Sequence, residues 1–270
     1  IGDLIIDRDY VSEYAYGHTF RKLEYDQYNC DSHIKRFDED IFLHNLFLIF
    51  THKTKYNEYF DELVSLEHKH KIEKRYLDFV IKTYNRVLLL NTESQNLNTQ
   101  CDEIINYIEK SKKLDLINSN GYTLHSKPNK IFFPGIFYGS KILFIGQNPG
   151  YPSSTDADSV QLHSKVYPSY KQFELAHHKS YFKSKFFNFL QKFAKSEFNL
   201  INKQFSFTNL FKFSTEKNRQ PTQEEFESGI AVLKTQIEIL NPEKIVSFGS
   251  AVNNILTQYK IEHIPYYHPA

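Results

Sequence analysis

Apolar residues in the first half of the chain recur at helical spacing. Phe42, Leu46 and Phe50 are four residues apart, and a second periodic run ends near Leu90. Residues with this spacing lie on one face of a helix, which buries them against a neighbouring element. We therefore expect residues 1–125 to form an α-helical N-terminal domain or extension.

The pattern changes after a helix expected over residues 101–112. Asn118–Gly121 consists of turn residues, and four short apolar runs follow it, separated by helical patterns. The apolar runs are Lys141–Ile145, Phe205–Leu210, Lys244–Phe248 and Ile261–Tyr266, and the helical patterns are Tyr181–Phe198, Thr222–Leu240 and Ser250–Tyr259. The second helical pattern opens with a capping box in which Thr222 pairs with Glu225.

Strands that alternate with helices are joined by right-handed crossovers and form a parallel sheet covered on both faces. Residues 126–270 are therefore expected to form a three-layer α/β/α domain around a mostly parallel, four-stranded central sheet. Ligands bind such sheets at the carboxyl ends of the strands. The residues that follow each apolar run are thus the candidates for a functional site.

The net charge of +1 conceals an asymmetry between the two halves. Residues 1–126 carry sixteen Lys and Arg against twenty-one Asp and Glu, whereas residues 127–270 carry seventeen against eleven. A basic half beside an acidic half is typical of a surface that meets a polyanion. A mixed solvated surface with a chance imbalance explains the same numbers, so charge alone does not decide between them.

Other classes of protein find little support in the composition. Cys30 and Cys101 are too few for a disulfide framework or an iron–sulfur cluster, and no metal or other cofactor is expected. The sequence shows no secretory signal and no apolar stretch approaching the roughly 18 residues that suggest a membrane span. We therefore expect a cytoplasmic protein, associated with the nucleoid if the source is prokaryotic.

Small and polar residues follow each of the four apolar runs. Gly146-Gln147-Asn148-Pro149-Gly150 follows the first, Thr208-Asn209 ends the second, Gly249-Ser250 opens a helix after the third, and His268-Pro269 follows the fourth. Two amides, a histidine and glycines that permit close approach of a ligand would thus converge on one edge of the sheet.

These segments resemble the motifs of the uracil-DNA glycosylase superfamily, and they occur in the family's order. Ile142–Gly150 resembles the first active-site motif, in the Gly-x-Asn-Pro-Gly form of the mismatch-specific and single-strand-selective branches. Thr208–Lys212 resembles the second-strand motif, and Asn218–Thr222 and Asn241–Gly249 resemble the linking segment and third strand. His268-Pro269 matches the start of the terminal His-Pro motif. The helical first part of the chain has no counterpart in the minimal enzymes.

The resemblance implies a role for each motif residue. Asn148 would position the attacking water, and His268 would stabilise charge on the departing base. Asn209 would read the edge of a flipped pyrimidine, since its amide offers both a donor and an acceptor. The other substrate-binding residues implied are Gly146, Gln147, Pro149, Gly150 and Tyr151. Asn148 also fits a purely structural role as a turn residue before proline.

Further residues bear on substrate choice and DNA contact. Gly150 stands where strict uracil enzymes carry a tyrosine that excludes thymine, so a 5-substituent is expected to fit unless Tyr151 fills the space. Tyr167 or Tyr170 is expected to stack on the base. Lys212 and Ser250 are candidates for contacts with DNA phosphates. A solvated lysine at a strand end explains Lys212 equally well, and an ordinary N-cap explains Ser250 better.

The favoured hypothesis is a monomeric, monofunctional DNA glycosylase acting on uracil or a modified pyrimidine in single- or double-stranded DNA. Its role would be repair or defence against modified viral DNA. Because an amide at position 148 is a very poor base, we expect slower chemistry than in the aspartate enzymes. The alternative is a non-catalytic DNA-binding or scaffold protein on the same fold. Two features motivate this alternative. One is the added N-terminal region, and the other is that no residues up to Ala270 match the family's apolar wedge segment.

Overall fold

The computed structural model describes residues 36, 39–43, 47–52, 66–83, 85–92, 96–125, 132–150, 167–201 and 203–267. The chain divides into two compact units, Ile1–Ile104 and Ile105–Ala270. None of the helices within the described ranges is long and apolar enough to cross a bilayer.

The first unit contains a pair of parallel strands besides its helices. Strand β1 (Leu48–His52) pairs with β2 (Val87–Asn91), and helix α1 (Leu66–Lys82) lies between them in sequence. The prediction of helix is wrong at these two segments, although positions 39–43 are helical. A short apolar run suits a buried strand as well as a helix, and the Phe50 ring packs here against Tyr76 and Phe79 of α1.

Helix α2 (Leu97–His125) continues through the segment where a turn was expected. The prediction fails at Asn118–Gly121 because Asn118 is buried there and its Oδ1 accepts a hydrogen bond from Gln236 Nε2. The second unit begins within α2, and Leu114 packs into that unit's core. The domain boundary predicted after residue 125 stays a prediction.

The second unit is built on a five-stranded sheet in the order β3-β5-β4-β6-β7. Its strands are β3 (Ile136–Phe137), β4 (Ile142–Gly146), β5 (Phe205–Asn209), β6 (Lys244–Phe248) and β7 (Ile264–Tyr266). The four predicted strands are confirmed and are parallel to one another. The edge strand β3 is an addition, two residues long and antiparallel to β5.

Helices cover both faces of this sheet, as a three-layer fold requires. They are α3 (Tyr170–Phe182), α4 (Lys185–Phe198), α5 (Gln223–Leu240) and α6 (Ser250–Gln258). Along β4, Leu143 and Ile145 join a core with α5 and α6, whereas Ile142 and Phe144 join an aromatic core with α4. Alternate side chains of a strand point to opposite faces, which explains this division.

The helix ends show how local sequence sets the element bounds. The pattern predicted as one helix over Tyr181–Phe198 is divided, because the Ser184 hydroxyl caps the start of α4. The capping box at the start of α5 is confirmed: Glu225 N donates to Thr222 Oγ1, and Thr222 N donates to Glu225 Oε2. Helix α5 therefore begins where the sequence predicts it.

Candidate active site

The parallel strands of the second unit end at one edge of the sheet, and the first two candidate motifs meet there. Gly146, the last residue of β4, lies opposite Asn209, the last residue of β5. Backbone pairing continues past the strands: Leu210 N donates to Gly146 O at 2.8 Å, and Phe211 N donates to Gln147 O at 2.9 Å. The two motif loops are thus held side by side.

Gly146 makes room for the side chain of Asn209. A Cβ atom at position 146 would lie 2.6 Å from Asn209 Oδ1, closer than side-chain carbons approach. Asn209 is only 4% exposed, and within the described part of the chain its amide has no hydrogen-bond partner. The amide atoms of Asn209 are not among the fully buried polar atoms that lack a partner in the described ranges, so water or a ligand can reach them. The amide is therefore available to a ligand.

Asn148 lies in the loop after β4 and is half-buried. Its Nδ2 donates to Pro149 O at 3.1 Å and to Thr215 Oγ1 at 3.3 Å. Among the described residues, Oδ1 of Asn148 has no partner. This oxygen is an acceptor and is free to orient a water molecule.

The ammonium group of Lys212 is buried and does not face solvent. The expectation that it contacts a DNA phosphate is therefore wrong. The residue is 4% exposed, and its Nζ donates to Thr208 Oγ1, Asn209 O and Gln236 Oε1 at 2.5, 2.6 and 2.7 Å. Burial lowers the pKa of Lys212 well below its usual value. All three ammonium protons are used inside the protein, where they fix the backbone that carries Asn209.

The loop after β6 brings Ser250 to the same edge. Gly249 is the cap of helix α6, with a φ of 97° that favours glycine, and Ser250 is the exposed first residue of the helix. Ser250 is therefore not an ordinary N-cap. Gly249 N donates to Tyr266 O at 2.9 Å, so β7 also ends at this edge. His268 follows shortly after but lies outside the described residues, as do Pro269 and Tyr151.

The remaining candidates differ in their surroundings. Gln147 and Pro149 are half-buried, and Gly150 is exposed. Tyr167 is half-buried and packs edge-on against Phe173, with ring centroids 5.7 Å apart. Burial raises the pKa of Tyr167, and Tyr122 adds to the effect. Tyr170 is 8% exposed and belongs to the same aromatic cluster, so Tyr167 is the more accessible of the two.

A comparison with protein-family models decides which family this arrangement belongs to. The model of the uracil DNA glycosylase superfamily matches residues 135–270. The chain belongs to the uracil DNA glycosylase superfamily. The matched span contains the whole five-stranded sheet and the edge where Asn148 and Asn209 lie. Members of this superfamily are DNA glycosylases, so the family implies a DNA substrate. No curated protein sequence matches the chain.

Two residues that contact the superfamily motifs were not predicted as site residues from the sequence. Thr215 contacts Asn148, and Gln236 of α5 accepts from Lys212 while its Nε2 donates to Pro134 O at 2.9 Å. Thr215 is 67 residues from Asn148 in sequence, and nothing in its local pattern signals the contact. One sequence signal pointed to Gln236, because it is a polar residue on the apolar face of a helix. Such a residue needs hydrogen-bond partners when it is buried, and Gln236 is fully buried.

Proposed function

We propose that this protein is a monofunctional DNA glycosylase that excises uracil or a 5-substituted pyrimidine from DNA and leaves an abasic site. The observation that carries the proposal lies at the carboxyl ends of adjacent strands, where Asn148 Oδ1 and the Asn209 amide have no hydrogen-bond partner among the described residues. Family membership supplies the class of chemistry, and these two residues supply the means to perform it.

Asn209 would recognise the base. A glycosylase extrudes its target nucleotide and reads the exposed Watson–Crick edge inside the protein. The Asn209 amide presents a donor and an acceptor, which matches the adjacent carbonyl and N–H of a uracil or thymine edge. Its burial strengthens these hydrogen bonds, because water competes less well for the same groups.

Asn148 would hold the nucleophilic water. In the hydrolysis, the bond from C1′ to the base nitrogen breaks and its electron pair leaves with the base. The water oxygen then bonds to C1′, and one water proton is released. The Asn148 Oδ1 can accept a hydrogen bond from that water and direct its lone pair towards the sugar. We assign to His268 the stabilisation of the negative charge on the departing base.

Other residues would set the substrate range and the grip on DNA. Gly150 is exposed and carries no side chain that would exclude a 5-substituent. Tyr167 would stack on the base, and Ser250, exposed at the start of α6, would bind a backbone phosphate. Lys212 has no part in phosphate binding, since its ammonium is buried.

The proposal also covers the cellular role of the protein. A site that tolerates a substituent at the pyrimidine 5-position suits a monomeric cytoplasmic enzyme that repairs DNA or acts against modified viral DNA.

Mass spectrometry tests the activity. It identifies the bases released from DNA that contains uracil, mismatched thymine or 5-hydroxymethylpyrimidine, each in single- and double-stranded form. We expect free base and an abasic site from at least one substrate.

Variants separate catalysis from simple DNA binding. Asn148→Ala, Asn209→Ala and His268→Ala should each lose most but not all of the base release, whereas Asn188→Ala, a substitution of an exposed asparagine on α4, should lose none. If the wild-type protein binds these DNAs but releases no base from any of them, the proposed activity is wrong. The non-catalytic DNA-binding alternative then replaces it.

A further inference from the structure

The Thr215 hydroxyl has its only proton engaged away from the candidate active site. Thr215 is 2% exposed, and its Oγ1 donates to the backbone carbonyl of Arg219 at 2.5 Å. A carbonyl oxygen cannot donate, so the hydroxyl proton belongs to that bond. Towards Asn148 Nδ2, 3.3 Å away, the Thr215 oxygen can therefore only accept.

Pro149 imposes the same requirement from the other side. Its carbonyl oxygen lies 3.1 Å from Asn148 Nδ2 and is also an acceptor. If the amide turned over, Asn148 Oδ1 would face two acceptor oxygens and Nδ2 would lose both partners. The neighbours of Asn148 thus select one of the two amide orientations, the one that leaves Oδ1 outward.

The Arg219 carbonyl is itself held in place at the start of α5. The two terminal guanidinium nitrogens of Arg219 donate to the Glu225 carboxylate, at 2.6 and 2.7 Å, and Arg219 N donates to Glu216 O at 3.1 Å. Glu225 also closes the capping box with Thr222. A chain of hydrogen bonds therefore runs from a helix terminus to the side chain of Asn148.

We infer that Thr215 is a positioning residue: it fixes the Asn148 amide so that Oδ1, and not Nδ2, faces the attacking water. The inference rests on the proposed function for its catalytic consequence. A water held by Oδ1 donates a hydrogen bond to it, which makes the water oxygen more electron-rich and leaves both of its lone pairs for C1′. A water held by Nδ2 accepts a hydrogen bond instead and has one lone pair engaged. The orientation of the amide therefore sets how strongly the bound water can attack.

A pair of variants at Thr215 tests this in the full-length protein. Thr215→Val keeps the shape but removes the acceptor, and base release should fall about 10- to 100-fold in kcat with KM little changed. Thr215→Ser restores the hydroxyl and should recover most of that loss. Equal impairment of the two variants, or full activity in Thr215→Val, would overturn the inference.

A second readout does not depend on catalysis. In protein labelled with ¹⁵N-asparagine, the side-chain NH₂ signals of Asn148 are those absent from Asn148→Ala. We expect their exchange with water to be slow in the wild type and in Thr215→Ser, and faster in Thr215→Val. Identical exchange in all three would contradict the contact. If the wild type releases no base, the proposed function fails, and this measurement still decides whether Thr215 fixes the amide.

Asn148→Asp serves where Thr215→Val does not fold, because it leaves Thr215 unchanged. The substitution replaces a donor by an acceptor, so a carboxylate oxygen would meet both Thr215 Oγ1 and Pro149 O. With two acceptor oxygens facing it, the new carboxyl should have a pKa above the ordinary aspartate value, which a ¹³C NMR titration measures. An ordinary or lowered pKa would show that Thr215 Oγ1 does not act as an acceptor at this position.

Discussion

Gly146 and Asn209 lie opposite each other at the ends of β4 and β5, and a Cβ atom at position 146 would come within 2.6 Å of Asn209 Oδ1. Ring carbons of Phe207 would be 3.3 Å away, so the amide is the nearer obstacle and the more mobile one. Gly146→Ala is expected to displace the Asn209 amide and reduce base release about 100-fold, since small misplacements at a reacting centre have effects of this size. Steady-state assays on the best substrate of the panel measure it.

The double variant shows whether the two positions act through one contact. Asn209→Ala already lacks the amide, so adding Gly146→Ala to it should produce little further loss. Thermal unfolding of the single variant should stay close to the wild type, because the backbone at Gly146 has an ordinary strand conformation. Additive losses would mean that Gly146 acts on something other than Asn209.

Thr222→Ala should lower the free energy of unfolding by about 1 kcal/mol, because it removes the hydroxyl that caps α5. The matched control is Thr235→Ala in the same helix. The Thr235 hydroxyl is exposed and donates only to Ala231 O one turn earlier, and alanine is the better helix former. Urea titrations of both variants should separate them, and equal destabilisation would remove the special role of the cap.

Sequence patterns predicted the second unit well because its elements are set locally. Lys244–Phe248 has the bounds predicted for it, and Thr222 starts α5 through contacts three residues away. The first unit was harder. The run Val87–Asn91 becomes a strand through its pairing with β1, and that partner is distant in sequence. Consecutive apolar residues alone do not distinguish a strand from a buried helix.

The candidate site shows the same division between local and distant information. Asn148 and Asn209 were found because each lies at or just beyond the end of an apolar run, and parallel strands end at one edge. The inward direction of Lys212 depends on Gln236, 24 residues away, and the orientation of Asn148 depends on Thr215. Such contacts exist only after segments distant in sequence have packed together, so local pattern could not reveal them.

Leu190 and Leu116 form a matched pair for the energetics of the second unit. Leu190 is 0% exposed within the aromatic core of α4, whereas Leu116 on α2 is 63% exposed. Leu190→Ala should destabilise the protein by about 2–5 kcal/mol, because it leaves a cavity. Leu116→Ala should change the stability by no more than about 0.5 kcal/mol. A similar loss for both, measured by chemical denaturation, would mean that another surface covers Leu116.

Lys212 makes the stability of the protein depend on alkaline pH. Burial lowers its pKa in the folded state, whereas the unfolded chain has the ordinary value of about 10.4. As the pH falls below that value, the unfolded state takes up the proton first, so Lys212 stabilises the fold less at neutral pH than at high pH. The stabilising contribution is complete above the unfolded pKa and is lost as the pH falls through the folded pKa.

Lys212→Met isolates this effect, because it fills similar space without a titratable group. At neutral pH it should destabilise the fold by about 1–3 kcal/mol, since it leaves Thr208 Oγ1, Asn209 O and Gln236 Oε1 without their donor. The difference from the wild type should widen between pH 7 and pH 10, and tyrosine titration cancels because both proteins share it. Urea unfolding at several pH values measures the difference. If the difference in unfolding free energy between the wild type and Lys212→Met is constant or narrows with rising pH, burial does not lower the pKa of Lys212.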